Sequence, residues 1–337
     1  MSGLGESRMD VLRYKQIDGI RIYINTLDYR TPHFHKDIEL ILVLDGDLDI
    51  QSETFHYVAE KGDMILCNSG EAHEFKKVTK SCTLVGCHIA PGIVKSEVPE
   101  FEQIRFADYN LKKRLPEELY HQVTESFLDM ALYYFEQPEH YKLFCVAQAK
   151  YLIYLFLREV PYRILADGAL KCGRHHNDRL QRMIQFVEEN YMNKICLTDF
   201  AESEGMSMSY MSHFIKKTIH QSFQEYVNTV RFNAACKMLA ADQMKMIDIC
   251  FRSGFSDYKY FSGTFVSRTG MTPEVYRKHM IASRNTYMED HERNKFHYTI
   301  HSVERFYSSE KSAEIIKTKK LIYLIDITRK SRKNIKT

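Results

Sequence analysis

Four side chains in the first quarter of the chain are of types that hold a small polar ligand. They are His33, His35 and Glu39 in the run HFHKDIE, and His73 at the end of GDMILCNSGEAH. A neutral imidazole donates one hydrogen bond and accepts another, and a carboxylate accepts at two oxygens, so this set can clasp the hydroxyls of a sugar-like molecule. The same donor types also suit Fe, Mn, Ni or Zn. Tyr14, Tyr23, Asn25 and Phe75 stand at strand positions where they can wall such a pocket. The eight cysteines, by contrast, are scattered singly, without a C-x-x-C pair or zinc-finger spacing. They read as reduced thiols that fill cores in a cytosolic protein.

The stretch that carries these residues must be strand-rich. Short β-prone pieces run over Ile20 to Ile24, Glu39 to Leu44, Leu48 to Gln51, Thr54 to Val58, Met64 to Cys67 and Thr83 to His88. Turn residues punctuate them at Asp45-Gly46-Asp47, Lys61-Gly62-Asp63 and Asn68-Ser69-Gly70. Many short strands at regular spacing predict a sandwich or small barrel. After Pro116 the period becomes helical, over Pro116 to Glu136 and Glu139 to Glu159. The second helix is apolar around much of its circumference, more than one barrel face needs. Dimerisation uses such an excess; packing on the barrel of the same chain uses it equally well.

A basic, Gly-containing stretch, 167–177, reads as a linker. Beyond it come a helix over Asp178 to Tyr191, a short helix over Thr198 to Glu204, a turn at Gly205 and a helix over Ser207 to Thr218 capped by Ser207. Ala201, Gly205, Met211 and Phe214 satisfy the packing of a helix-turn-helix. A long helix over Phe223 to Ala241 comes next, and then the pattern returns with Ile249-Cys250, Gly254, Ser256 as cap, Phe261 and Phe265. The two glycines recur within one repeated supersecondary unit. Tyr226, Phe255, Phe261 and Phe265 are expected in the core.

The segments LTDFAESEGMSMSYMSHFIKK (197–217), FQEYVNTVRFNAACKML (223–239), IDICFRSGFSDYKYFSGTF (247–265) and GMTPEVYR (270–277) resemble the AraC/XylS-type regulators. The resemblance covers roughly 178–280. It implies a seven-helix unit whose two recognition helices enter adjacent major-groove segments. Carried over residue by residue, the DNA-facing positions are Ser209, Tyr210, Ser212, His213, Lys216 and Lys217 in the first helix, and Tyr258, Lys259, Ser262 and Gly263 in the second. The lysines at 216, 217 and 259 fit an ordinary solvated face as well. Gly263 stands where the family usually has Arg, and Val266-Ser267 where a basic pair is common. The first unit is therefore expected to dominate base discrimination.

The two histidine motifs, with Gly46 seven residues after Glu39, resemble those of the cupin barrel, where two His, one Glu and a further His converge and can bind a divalent metal. Asn68 replaces the usual Pro and Lys77 the usual Asn. Relatives in the regulator family often keep this pattern without metal and use the cavity for a small effector. His33, His35, Glu39 and His73 are accordingly assigned to effector binding, with no catalytic residue, no metal and no cofactor. The competing reading is a metal-dependent cupin enzyme, an isomerase or dioxygenase, with a DNA-binding appendage.

Charge is divided along the chain. Residues 1–170 hold 19 Lys+Arg against 26 Asp+Glu, and 171–337 hold 28 against 18. Only the second half is suited to a polyanion. No apolar run spans a bilayer, and the amino terminus lacks a signal-peptide core. The sequence thus predicts an α+β multidomain chain: a cupin-like effector-sensing β-barrel at 15–110, a helical hairpin at 111–166, a linker at 167–177, a tandem helix-turn-helix domain at 178–282, and a basic extension at 283–337. The extension carries 13 Lys+Arg against 7 Asp+Glu over 284–337, a strand-like stretch over Lys295 to Val303 and an apolar one over Leu321 to Ile327. The expected function is a cytoplasmic, dimeric transcription regulator, not an enzyme. Its expected partners are double-stranded promoter DNA, a sugar-like effector and RNA polymerase, with no membrane.

Overall fold

The computed structural model describes residues 17–278 apart from 53, 80, 108, 242 and 243, together with 296–299, 302–306 and 309–334. Tyr14 lies outside the described residues.

The amino-terminal half is one connected sheet in the order β4-β3-β6-β1-β7-β2-β5. Its strands are β1 (Ile20–His33), β2 (Ile38–Asp45), β3 (Leu48–Ser52), β4 (His56–Ala59), β5 (Met64–Cys67), β6 (His73–Lys77) and β7 (Cys82–Ile89). Strand β1 is longer than its apolar pattern indicates, and β6, whose HEFKK sequence is mostly polar, gives no strand signal. Both form because of their partners. The first part of β1 pairs with β7 (Ile20↔Ile89 to Leu27↔Cys82), and its end pairs with β6 (Tyr29↔Lys76 to His33↔His73). Strand β2 is apolar on both faces because each faces a core. Ile41 and Val43 pack inside the sheet with Tyr23, Leu27 and Phe75, while Leu40, Leu42 and Leu44 pack outward against helices, in keeping with the two-residue period of a strand.

Beyond β8 (Ile104–Phe106), which pairs with β9 (Tyr162–Ile164), and the single turn α1 (Leu111–Arg114), the expected hairpin is α2 (Glu117–Glu136) and α3 (Tyr141–Glu159), closed by Gln137 and His140 at positive φ. Val123, Phe127 and Met130 of α2 and Leu152, Ile153 and Phe156 of α3 are buried in the core that receives the outer face of β2. At about 1.5 to 3 kcal/mol per fully buried large side chain, this layer holds the hairpin to the sheet. Among the described residues of the extension, β11 (Ser302–Phe306) pairs with β1, and β10 (Phe296–Thr299) pairs with β11. Helix α10 (Ser309–Asn334) lies along α2, with Lys320 on Asp129, Lys317 on Glu136 and Tyr323 Oη 2.5 Å from His121 Nδ1. The apolar stretch Leu321 to Ile327 belongs to that helix.

The linker expected at 167–177 is instead the first part of one helix, α4 (Asp167–Asn190). Gly168 and Gly173 alone do not stop it, since glycine costs a helix interior only about 1 kcal/mol. Then come α5 (Leu197–Ser203), α6 (Met208–Ile219), α7 (Phe223–Ala241), α8 (Met246–Arg252) and α9 (Tyr258–Thr269). Ser207 caps α6 as its sequence indicates, accepting from Tyr210 N. The cap of α9 is Asp257, which accepts from Tyr260 N, one residue after the expected Ser256. An aspartate is as good a cap and adds a charge at the positive helix end. Gly205 and Gly254 both take positive φ, +65° and +86°. Two separate cores fill the halves: Leu180, Met183, Phe200, Met211, Phe214 and Tyr226 in the first, and Cys250, Phe255, Phe261, Phe265 and Tyr276 in the second.

Candidate functional site

The ladder registers bring the polar residues of the sheet together. His33 lies opposite His73, and Glu39 opposite His88, so each pair shares a face. His35 comes just after the end of β1 and turns inward, 2% exposed, while Glu39 is fully buried. Glu39 Oε2 lies 3.2 Å from His35 Nε2 and 3.0 Å from His73 Nε2, and Oε1 lies 3.2 Å from His88 Nε2. Tyr23 donates its phenol to Glu39 Oε1. Space for that phenol exists because its ladder partner is Gly86: a Cβ there would sit 2.2 Å from the tyrosine ring. Phe75 closes the other side, 5.0 Å from the His73 ring and 5.6 Å from that of His33.

The imidazoles are anchored from behind. His33 Nδ1 is 3.0 Å from Thr31 O, His35 Nδ1 is 3.0 Å from Asp37 O, and His73 Nδ1 is 2.8 Å from Glu71 O. Burial holds the His33 and His88 imidazoles well below their ordinary range. Burial alone would raise the Glu39 carboxyl, but the imidazoles of His88, His35 and His73 outweigh it and hold that group well below the usual carboxylate range. One ligand atom from each of His33, His35, Glu39 and His73 lies within 4.8 Å of the others.

The carboxyl-terminal half offers a different surface. Along α6, Met211, Phe214, Ile215, Thr218 and Ile219 are buried, while Ser209, Tyr210, Ser212, His213, Lys216 and Lys217 are all exposed. Three- and four-residue spacing separates the two faces. On α9, Lys259 and Gly263 are exposed and border an open groove with Asn228, Tyr260, Thr264 and Ser267.

Residues 200–279 match the family described as a helix-turn-helix domain, and residues 16–156 match the AraC-like ligand binding domain. The chain belongs to the AraC family of transcription regulators. It is a DNA-binding regulator with a ligand-binding domain. Among similar proteins, the uncharacterised HTH-type transcriptional regulator YdeC of Bacillus subtilis is 21% identical over 262 residues, 75% of this chain and 88% of its own length. The virulence regulon transcriptional activator VirF of Yersinia enterocolitica is 22% identical over 265 residues, 76% of this chain and 96% of its own. The solved structure of ToxT from Vibrio cholerae covers 77% of this chain and 98% of its own, at 12% identity and a TM-score of 0.41.

Within this AraC-family chain, the sites singled out from sequence are distributed unevenly. The four effector-site residues converge, and Tyr23 and Phe75 touch them; Asn25 is buried. His88 is a fifth member that the motif spacing does not contain, and its position opposite Glu39 emerges only from the register. Asn68, in place of the usual Pro, bonds Phe106 through both its amide and its carbonyl, at 3.1 and 2.8 Å, and so ties the motif to β8. On α9, Tyr258 and Ser262 are half-buried, and the Tyr258 phenol bonds Glu274. Tyr260, not singled out from sequence, is 49% exposed beside Asn228. The sheet also meets the helix-turn-helix region directly. Gln221 Nε2 donates to Glu74 Oε2 at 2.8 Å and Asn177 Nδ2 to Gly70 O at 2.7 Å, and Ala72 packs in the core of the first helix-turn-helix unit.

Among the described residues, no helix is long and apolar enough to cross a membrane.

Proposed function

We propose that this chain is an effector-responsive promoter-binding regulator in which the polar cluster of the sheet senses a small ligand and α6 and α9 read DNA. The observation that carries the reading is the direct contact between the two units: the strand that begins with His73 abuts the segment that ends α6. The groove-facing residues are Ser209, Tyr210, Ser212, His213, Lys216, Lys217, Lys259 and Gly263, with Tyr258 and Ser262 contributing from the rim of α9. Ligand uptake shifts the population between arrangements of the two units.

The proposed division is sensing over 15–110, a dimerising hairpin over 111–166, DNA binding over 178–282, and an extension over 283–337, of which β11 and α10 back the sensing unit. Since α10 covers one side of α2, α3 supplies the dimer face, where Leu143 is 73% and Tyr154 54% exposed. The protein works in the cytoplasm as a homodimer that activates by contacting RNA polymerase; its relative VirF is likewise named as an activator. It is not an enzyme: relatives that match most of its length are named as transcription regulators. The tight spacing of the polar cluster leaves little room for a sugar.

Selection from fragmented host DNA at near-physiological salt, with and without a metabolite pool, tests this. A discrete site with spaced half-sites supports the reading; no fragment above background in any condition overturns it.

A further inference from the structure

A tyrosine hydroxyl has one proton to donate and lone pairs that accept, so the group that meets it on one side decides what it offers on the other. Tyr210 is exposed and is the third residue of α6, in the turn where a recognition helix reaches base edges. Its phenol is met from behind by Arg179 of α4, whose Nη1 donates to Tyr210 Oη at 3.0 Å. A guanidinium only donates, so the phenol oxygen is the acceptor in this contact. The phenol proton is therefore turned away from Arg179, and among the described residues it meets no acceptor.

The guanidinium is itself held from several sides. Its carbon lies 5.6 Å from the ring centres of both Tyr210 and Phe214, which stand one helical turn apart with 17° between their planes. Arg179 Nε donates to Glu204 Oε2 at 3.3 Å, and Arg182 Nη2 donates to the same oxygen at 2.8 Å. Arg182 foremost, then Arg179, outweigh the partial burial of the Glu204 carboxyl and hold it below its ordinary range, so the anchor stays negative at neutral pH. Glu204 ends α5 just before the turn at Gly205, and one turn earlier on α4 the His176 ring packs 4.7 Å from that of Phe214. The Arg179 side chain is only 18% exposed, too enclosed to act as a free phosphate contact.

We propose that Arg179 is a positioning residue for sequence reading: it holds Tyr210 so that the phenol enters the major groove as a hydrogen-bond donor alone. A donor selects a base edge that carries an acceptor, namely guanine O6 or N7, adenine N7 or thymine O4. It rejects cytosine, which presents only its N4 amino group there. A tyrosine without the arginine behind it could turn its hydroxyl, accepting from cytosine as readily as donating to guanine. The assignment rests on the reading of α6 as a DNA-reading helix and adds to it a specificity determinant that lies on another helix.

The test measures the affinity of full-length wild type, Arg179→Met, Tyr210→Phe and the double variant for a selected site and for a panel with each of the four bases at every position, at two salt concentrations. Tyr210→Phe should lose preference against cytosine at one position by roughly five- to tenfold. Arg179→Met, which keeps a long apolar side chain, should lose preference at that same position with an unchanged salt slope. The double variant should lose no more than Tyr210→Phe alone, and Arg179→Lys, which keeps the charge and a donor, should recover part of the loss. Glu204→Gln is the second variant if Arg179→Met does not fold: it leaves Arg179 and Tyr210 in place with a slackened anchor, and should lose a smaller part of the preference at the same position.

Additive losses, or a salt slope lowered by about one in Arg179→Met, make Arg179 a DNA contact in its own right and overturn the positioning role. Tyr210→Phe that weakens every sequence equally puts the phenol on a phosphate and overturns the base reading. Full preference in both Arg179→Met and Glu204→Gln likewise overturns the role of Arg179. These outcomes leave the regulator reading standing; if no DNA is selected in any condition, that reading falls.

Discussion

His220 donates its Nε2–H to the carbonyl of Ser52 at 2.7 Å, joining the residue that ends the first recognition helix to the last residue of β3. His220 is held at φ +53°, a left-handed conformation that costs a non-glycine residue about 1 kcal/mol or more. The bond thus ties a backbone corner of the DNA-binding region to the sheet that carries the polar cluster. His220→Gly relieves the corner and removes the bond. Its thermal midpoint should stay within a few degrees of wild type, while the ligand-dependent change in DNA affinity should shrink several-fold, read by fluorescence anisotropy on a selected site. A ligand response of undiminished size in this variant would show that the two units communicate elsewhere.

How far the sequence reveals these features depends on whether the signal is local. The turn glycines, the cap of α6, the inward faces of α6 and α9 and the apolar run of β2 are set by neighbours in the chain, and they are legible there. The four cluster residues can be named, but only through motif spacing; His88 cannot, because what places it is the pairing of Glu39 with a strand about fifty residues away. The same holds for β6, whose polar sequence becomes a strand between β3 and β1, and for Tyr258, whose phenol bonds Glu274 in a later segment. The stretch 167–177 misleads because Gly and basic residues mark linkers statistically. They do not forbid a helix whose later turns are anchored in a core by Leu180, Met183 and Val187.

Gly254 and Gly263 of the second unit should respond oppositely to alanine. At Gly254, φ is +86°, and an added Cβ would lie 2.3 Å from the carbonyl oxygen of Tyr191. Gly254→Ala should cost about 2 to 3 kcal/mol from strain and backbone clash. At Gly263, inside α9, nothing lies within 4 Å of that position, so Gly263→Ala should gain about 0.5 to 1 kcal/mol. Chemical denaturation of both variants checks this, and the reading of both positions fails if the signs are reversed.

Asp63 governs part of the acid response. Burial raises its carboxyl, but Lys112 foremost, then the Glu60 amide and the Tyr57 phenol, outweigh that and hold it below the ordinary value of 3.8; Asn110 also donates to it, and Lys113 stands nearby. A carboxyl depressed in the folded state contributes stability that is complete above its unfolded range and is lost as pH falls through the lower folded value. Wild type should therefore lose stability below about pH 4 more steeply than Asp63→Asn. At pH 7 the variant should be less stable by about 1 to 2 kcal/mol. Parallel pH–stability curves for the two proteins would remove Asp63 from this role.

The oligomeric state should depend on α3. Leu143 and Tyr154 stand exposed on it, while α10 lies along α2. The double variant Leu143→Asp, Tyr154→Asp should sediment as a monomer at concentrations where wild type is a dimer, with helix content unchanged. A dimer that survives both charges places the contact on another surface.

The two recognition helices should divide the reading of DNA unequally. On α6, His213 and the hydroxyls of Ser209 and Ser212 stand exposed together with Lys216 and Lys217, so base edges and phosphates are met by one face. On α9, Gly263 offers no side chain, the Tyr258 phenol bonds Glu274, and Lys259 stands exposed beside Tyr260. Removing a base contact costs about 1 to 3 kcal/mol and relaxes preference at one position, whereas removing a phosphate contact weakens all sequences alike and lowers the salt slope by about one. His213→Ala should accordingly lose discrimination between the selected site and its mismatched versions. Lys217→Ala and Lys259→Ala should bind every sequence more weakly and with a shallower dependence on salt. Titrations across a mismatch panel at two salt concentrations separate the two effects. A larger loss of discrimination from Lys259→Ala than from His213→Ala would place the principal reading in the second unit.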